Sequence, residues 1–396
     1  MTRRFKIAMV AACPFPYPRG TPIRVFRIAE ALSRRGHEVH VVTYHLGKET
    51  ETASFLIYRI PEVRTYKRYS PGPTFQKLLV LDTLLAIELL KVLRKHDIDL
   101  IHAHHYEGMI VSLLARQRTR HPILFDVHTL LESELPFYKI WLPSMGKKLI
   151  GRFLDSRLPR LASHIIAVTE DIKTKLIHNR SATSEKITVI SNGVECEHFN
   201  VEAGERKAGQ TETKTLIFAG NLASYQGIDV LLKAFKEVLQ KRKDVKLLIV
   251  SNDSFGRFES LARTLGVGGH IDIMPSDFAT LPHCIATADI ALNPRKDCDG
   301  VPQKLLNYMA AGKPIVSFAG SAKHLKHGEL GWIVENGNIS AFANAILLLL
   351  EDSTLAQRIG ANAKKYVNSE LSWERATEKT EVVYEKIVHS AQSTNI

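Results

Sequence analysis

Short apolar runs alternate with helical stretches along this chain, and the alternation runs through twice. Phe5 to Ala11 (FKIAMVA) is apolar apart from one lysine, as a parallel strand buried on both faces should be. CPFPYPRGTP follows, and its density of Pro and Gly makes it a loop. From Ile23 to Arg35 the spacing predicts a helix, with Val25, Ile28, Ala29 and Leu32 on one face and Arg24, Arg27, Arg34 and Arg35 on the others. Gly36 ends it, and Glu38 to Thr43 (EVHVVT) is a second strand. Strand, helix and strand in this space make a βαβ unit. Further strands are expected at Leu100 to Ala103, Ile123 to Val127, Ile165 to Val168 and Ile187 to Ile190.

Val201 to Lys214 (VEAGERKAGQTETK) is polar, holds two glycines and lacks apolar periodicity, so it reads as a linker. The pattern then restarts. Strands are expected at Thr215 to Ala219, Lys246 to Val250, Ile271 to Met274, Ile290 to Leu292 and Ile315 to Phe318. Asp229 is the expected N-cap of a helix carrying Leu231, Leu232, Phe235, Val238 and Leu239. A chain of 396 residues is too long for one ordinary core. The fold class is therefore α/β, with two doubly wound, Rossmann-like domains. Ligands in such folds sit at the carboxyl ends of the strands, so a central cleft is the expected site.

Charge and cysteine usage narrow the partners. Residues 1–200 hold 30 Lys and Arg against 19 Asp and Glu, while the remainder holds 23 against 22. The first half should therefore face something anionic. Cys13, Cys196, Cys284 and Cys298 are scattered and form no CxxC, which suits a reducing, cytoplasmic setting. No signal peptide or spanning helix is expected, since the most apolar stretch, Leu78 to Leu93, contains Asp82, Glu88 and Lys91.

The chemistry concentrates in NPRKDCDGVPQKLLNYMAAGKPIVSF, from Asn293 to Phe318. Gly300 lets backbone approach a ligand, Pro302 suits the first turn of a helix, and Gly312 closes it. The free N–H groups and positive dipole at that helix N-terminus suit an anion such as diphosphate. Lys304 and Asn307 share a helix face. Asp299 lies eight residues before Asn307, roughly 12 Å if the whole span is helical.

This stretch resembles the donor motif of the family 4 retaining glycosyltransferases of GT-B fold, in which two acidic residues flank seven others before Ala-Met-Ala-x-Gly-x-Pro-Val-Val. Asp299 takes the first acidic place, Asn307 the second, and Met309 to Val316 the tail. Ser191-Asn192-Gly193-Val194 through Phe199, Phe218 to Leu222, Phe125 to His128, and Ser372-Trp373 resemble the family's other segments in order. The resemblance implies an acceptor-side domain over 1–200, a linker over 201–214, a nucleotide-sugar domain over 215–370, and a last helix, 371–396, returning to the first domain. It implies sugar transfer, with retention, from a nucleotide diphosphate-sugar to a glycan or lipid-linked acceptor, in cell-surface polysaccharide or glycolipid assembly. It implies no metal or other cofactor. The expected catalytic residues are His128, Asp299 and Lys304. The expected donor contacts are Gly20, in the first Gly-Pro loop, with Gly220, Asn221, Gln226, Gly300, Val301, Pro302 and Asn307.

One departure bears on mechanism. The family's G-R-L-x-x-x-K-G reads Gly220-Asn221-Leu222-Ala223-Ser224-Tyr225-Gln226-Gly227 here, so neither usual cation is present. Lys304 is expected to meet the phosphates instead, with Arg295 or Lys296 as weaker candidates. The loss also keeps a second reading open, a non-catalytic GT-B binding or partner subunit.

Other signals have plain readings beside them. Asp297-Cys298-Asp299 spells a metal-binding DxD, but in the wrong context for that role. His102, His104 and His105 cannot all share one strand face, so structural or acceptor-lining roles are expected over a metal. Glu132 and Glu134 either line an acceptor pocket or lie on the surface. Phe137 to Leu154 mixes aromatics with Lys139, Lys147, Lys148 and Arg152, suiting either a helix on an anionic membrane or one covering a sheet. No dinucleotide fingerprint follows the first strand, and no nucleic-acid recognition motif is present.

Overall fold

The computed structural model describes residues 3–17, 20–47, 54–69, 72–117, 119–138, 142–201 and 213–393. The chain forms two compact units, residues 1–192 with 373–396, and residues 193–372. Residues 193–200, expected with the first domain, thus belong to the second. Val194 N–H donates there to Leu371 O at 2.9 Å. Most of the expected linker, 202–212, lies outside the described residues, as do Pro18 and Arg19 of the first loop and 139–141.

The first unit is built on a seven-stranded parallel sheet. Its strands are β1 (Lys6–Ala11), β2 (Glu38–Thr43), β3 (Leu56–Arg59), β4 (Leu100–His104), β5 (Ile123–Val127), β6 (His164–Ala167) and β7 (Ile187–Val189), in the order β3-β2-β1-β4-β5-β6-β7. Alternation along β1 explains its continuous apolarity. Ala8 and Val10 face one buried cluster, while Ile7, Met9 and Ala11 face the other. The helix Trp373–Ser393 adds Trp373, Val383, Tyr384, Ile387 and Val388 to that second cluster. Each such side chain, fully buried, contributes about 1.5–3 kcal/mol.

The second unit repeats the plan with β8 (Lys214–Ala219), β9 (Val245–Val250), β10 (Ile271–Met274), β11 (Ile290–Asn293), β12 (Ile315–Phe318) and β13 (Trp332–Val334). The order is β10-β9-β8-β11-β12-β13, again parallel. Leu216 and Phe218 pack on one face, Ile217 and Ala219 on the other. In each sheet the winding reverses beside the unit's first strand, between β1 and β4 and between β8 and β11. Those two switch points are where a doubly wound sheet opens a crevice.

Local departures from expectation have local causes. The first helix spans Gly20–Arg34, three residues earlier than predicted, because Pro22 fits a first turn that needs no N–H from it. Asp229 is not an N-cap. Gly227 holds that place at φ +74°, and the helix runs Ile228–Lys241. Phe137 to Leu154 is not one helix. A short turn ends at Phe137, and the helix Ser144–Arg157 starts only after Pro143. The four cysteines are free thiols. Among the described residues no single helix is long and apolar enough to cross a membrane.

Candidate functional site

At the second unit's switch point, β8 delivers the chain to Gly220 (φ +146°) and a short turn, Ser224–Gln226. β11 delivers it to Pro294 and the motif loop. Gly227 lets the two segments touch, since a Cβ there would lie 2.2 Å from Pro294 O. Motif helix Gln303–Ala310 follows, with Pro302 as its N-cap rather than in its first turn. Asp299 therefore precedes the helix, and the fully helical span expected from Asp299 to Asn307 does not form. Asp299, Gly300 and Asn307 are all half-buried, and Val301 is buried.

Lys304 is buried, and its Nζ donates to Gln226 Oε1 at 2.7 Å. Gln226 Nε2 reaches Asn221 Oδ1 at 3.3 Å, and Asn221 Nδ2 reaches Tyr225 OH at 3.2 Å. A cation thus comes within hydrogen-bond reach of the position where the family carries its lysine. Lys304 Nζ also lies 4.0 Å from the Phe218 ring centroid. Burial, and then the charge of Arg295, hold its ammonium well below the usual lysine range, with Cys298 opposing. Arg295 is half-buried, its guanidinium 4.8 Å from the Tyr225 ring centroid. Lys296 is exposed and lies against Gly337. The Cys298 thiol, which burial pushes up, donates to Gly300 O at 3.1 Å and shapes the loop between the two aspartates.

The first unit's switch point is a buried charge cluster. Asp126 on β5 is wholly buried and receives Arg24 Nε at 2.8 Å and an Arg24 terminal nitrogen at 3.2 Å. The same guanidinium donates to Ser191 O, Ile190 O and Asn192 Oδ1. Burial pushes Asp126 up, but Arg24, His128, His102 and His104 together hold it well below the usual carboxylate range. His128 follows β5, with Nδ1 2.9 Å from Thr21 Oγ1 and Nε2 3.6 Å from Asp126. Burial pushes its ring down despite Asp126, which favours the neutral imidazole. Thr21 lies beside Gly20 in the first turn of helix Gly20–Arg34, so Gly20 and His128 meet at one helix start.

The HAHH segment divides as strand parity requires. His102 and His104 point one way, their rings stacked at 4.1 Å beside Asp126. His105 turns aside at φ +62° and opens helix His105–Arg116. Such a backbone costs a β-carbon-bearing residue on the order of 1–3 kcal/mol, so contacts must hold it. Its Nδ1 lies 2.8 Å from Glu107 Oε2, and its Nε2 3.1 Å from Glu134 Oε2. Glu107 also takes Lys77 Nζ at 2.8 Å, and Glu134 accepts from Thr129 and Tyr138 hydroxyls. Glu134 is thus a paired, half-buried group, whereas Glu132 has no comparable set of side-chain partners among the described residues.

Burial lowers the His105 pKa, but Glu134 and Glu107 outweigh it and raise it to about 10. An unfolded histidine titrates near ~6.5. The stabilisation from this imidazolium is therefore complete below that value and is lost as pH rises through about 10. Urea midpoints of wild type and His105→Gln should accordingly differ most in mildly acidic solution, below about pH 6.5, and converge toward pH 10. A difference that grows with pH would contradict the pairing.

Among the described residues, two groups of His, Cys, Asp or Glu converge closely enough for a metal, and neither includes Asp297 or Asp299. Arg24, Asp126 and Tyr225 were missing from the sequence-derived site, and the turn that takes His105 off its strand was not foreseen. Their signal is pairing across 70 residues or more, or backbone sign, which no local motif displays.

Two doubly wound units, each with polar side chains gathered at its switch point, define an α/β protein of the GT-B class. The family Glyco_transf_4, described as Glycosyltransferase Family 4, matches residues 18–198, and Glycosyl transferases group 1 matches residues 202–366. The chain belongs to the family 4-like, group 1 glycosyltransferases of GT-B fold. Phosphatidyl-myo-inositol mannosyltransferase of Mycobacterium tuberculosis is 24% identical over 99% of this chain and 99% of its own length. Sucrose-phosphate synthase from Thermosynechococcus elongatus has a similar structure, with TM-score 0.82 and 18% identity over 98% of this chain and 100% of that one. HepE of Anabaena, solved with UDP, matches at TM-score 0.76 and 18% identity over 96% and 100%.

Proposed function

We propose that this glycosyltransferase moves a sugar, with retention and without a metal, from a nucleotide diphosphate-sugar held by its second unit to a glycan or lipid-linked acceptor held by its first. The observation that carries the donor reading is Lys304 Nζ on Gln226 at 2.7 Å, at the switch-point end of the motif helix. As the diphosphate leaves, negative charge builds on its β-phosphate. The Lys304 amine, placed on Gln226 and protonated as the diphosphate arrives, and the N–H groups of Gln303 and Lys304 at the helix start can meet that charge. Gln226 places the ammonium, and an arriving phosphate oxygen would take its proton-donating end. UDP in the similarly folded HepE supports a uridine nucleotide as the first donor to test.

For the acceptor, His128 offers a neutral imidazole beside Thr21, and the His105–Glu134 pair lies on the same edge. Asp299, ahead of the helix, and Asn307, in its second turn, are short polar groups suited to sugar and ribose hydroxyls. A membrane-surface role rests on helix Ser144–Arg157, where Met145, Leu149 and Phe153 are exposed beside Lys148 and Arg152. The setting would be cytoplasmic, peripheral on a membrane, in surface-polysaccharide or glycolipid assembly.

A thermal-shift panel of UDP-, GDP- and ADP-sugars on the purified protein tests the donor reading. One nucleotide class should raise the melting temperature and be hydrolysed or transferred at an EDTA-independent rate. Binding of none, or binding without turnover on any acceptor, refutes it and favours the partner-subunit reading. Sedimentation with anionic vesicles in excess of neutral ones checks the membrane part.

A further inference from the structure

Of the two converging His and carboxylate groups, one is closed to a metal. In the set His102, His104 and Asp126, both oxygens of Asp126 already carry the Arg24 guanidinium, and a dication would sit against that fixed positive charge. Glu38, His40 and His96 form the other set, to which no arginine among the described residues is hydrogen-bonded.

Its geometry follows from the fold. Glu38 and His40 are two apart on β2, so they share a face. Register pairs Val42 with Tyr58, which brings Tyr58 of β3 to that face. Helix Asp82–Lys95 ends over it with His96 as its C-cap. His40 Nε2 lies 2.9 Å from Glu38 Oε1, and the His40 and His96 ring centroids are 4.4 Å apart. One donor atom from each of the three lies within 4.8 Å of the others. The Tyr58 hydroxyl lies 3.3 Å from His40 Nδ1 and 3.0 Å from His96 Nε2. With that oxygen accepting one N–H from each ring, the remaining nitrogen of each ring carries a lone pair. A phenol oxygen orienting two imidazoles is the outer-shell support that metal-binding histidines require.

We propose that Glu38, His40 and His96 bind a divalent transition-metal ion of the zinc type, with Tyr58 orienting both rings. Two imidazoles and one carboxylate are a borderline donor set that selects zinc, cobalt or nickel over magnesium or calcium. Bonds of about 2.0–2.2 Å require the three donors to close on the ion. Glu38 begins its strand and His96 ends its helix, and both side chains are half-buried, so the closure falls to side-chain rotation. Without the ion the neutral His40 ring keeps its single proton on Nε2, toward Glu38; on binding that proton moves to Nδ1, toward the Tyr58 oxygen, and Nε2 takes the ion. Lys6 Nζ, 4.0 Å from Glu38, and Arg4 oppose a cation, and Asp97 at 4.0 Å from Lys6 offsets part of that. Glu38 stands at the amino end of β2, whereas His128 follows the carboxyl end of the parallel β5. The site therefore lies at the opposite end of the sheet from the acceptor histidine and serves the stability of the first unit.

Titration of metal-free, full-length protein with zinc chloride, followed by calorimetry and thermal unfolding, tests this. Wild type should bind one more equivalent than His96→Ala and melt higher with zinc, with EDTA reversing the shift. Cobalt should give a visible absorption band in wild type that His96→Ala lacks. Tyr58→Phe should bind about tenfold more weakly. Glu38→Gln, on a half-exposed side chain, should also lose the equivalent and covers the case in which His96→Ala does not fold. Equal stoichiometry and affinity in wild type and the ligand variants, or no saturable binding by wild type, overturns the site.

Discussion

Replacing Arg24 by Met should destabilise the first unit by about 3–5 kcal/mol, read as a fall in the urea midpoint. Asp126 is wholly buried, and Arg24 supplies both hydrogen bonds to its oxygens while tying down three further acceptors between Ile190 and Asn192. Removing the guanidinium leaves a carboxylate in the interior beside the imidazoles of His102, His104 and His128. The pH dependence should change sign, which separates charge from packing. In wild type, burial raises the Asp126 pKa, but Arg24 and the histidines depress it further than that. Its contribution is thus present above the unfolded aspartate value near ~3.9 and is lost only as pH falls through the lower folded value. In Arg24→Met burial acts without its main opponent, the carboxyl prefers its proton, and mild acidification should stabilise the variant. Adding Asp126→Asn should recover much of the loss at neutral pH. A variant that loses stability on acidification as wild type does would show that Arg24 acts by packing alone.

The same cluster shows how far the amino-acid sequence reaches. Two runs of strand and helix were legible because both faces of each sheet are covered, so whole strands such as Ile7 to Ala11 are apolar. β3 and β13 were not legible. They are short edge strands, with Leu56 half exposed and Trp332 to Val334 only half-buried, so no unbroken apolar run marks them. Helix starts were misplaced where proline or glycine sits in the first turn or at the cap, at Pro22, Gly227 and Pro302, because these residues also signal loops. In the candidate site, Lys304 and Asn307 were readable as one helix face. That Lys304 meets Gln226 was not, because 78 positions separate them. His105 carries its message in a backbone angle, and Arg24 looked like one of four arginines on a polar helix face until Asp126 was found beneath it.

Lys304→Met should lower turnover by about 10²–10³-fold, the loss expected when one preorganised donor to a developing anion is removed. Stability should hold or rise. The wild-type ammonium is buried, and both burial and Arg295 disfavour its charge, while Met has similar volume and no charge to desolvate. Loss of activity with an unchanged or higher melting temperature is therefore the expected pair of results. A second variant asks whether the cation's position or the residue itself matters. Gln226 stands where the family carries lysine, and its side chain touches Lys304. Lys304→Met combined with Gln226→Lys returns an ammonium to the same few ångströms from the neighbouring chain segment, and should recover part of the lost rate. Donor binding to wild type should also take up protons, seen as a buffer-dependent calorimetric heat, because a diphosphate beside Lys304 raises a pKa that burial had lowered. That uptake should vanish in Lys304→Met. A Lys304→Met protein with undiminished turnover and wild-type proton uptake would remove Lys304 from the donor site, and with it the reading of how this chain manages without the family's two cations.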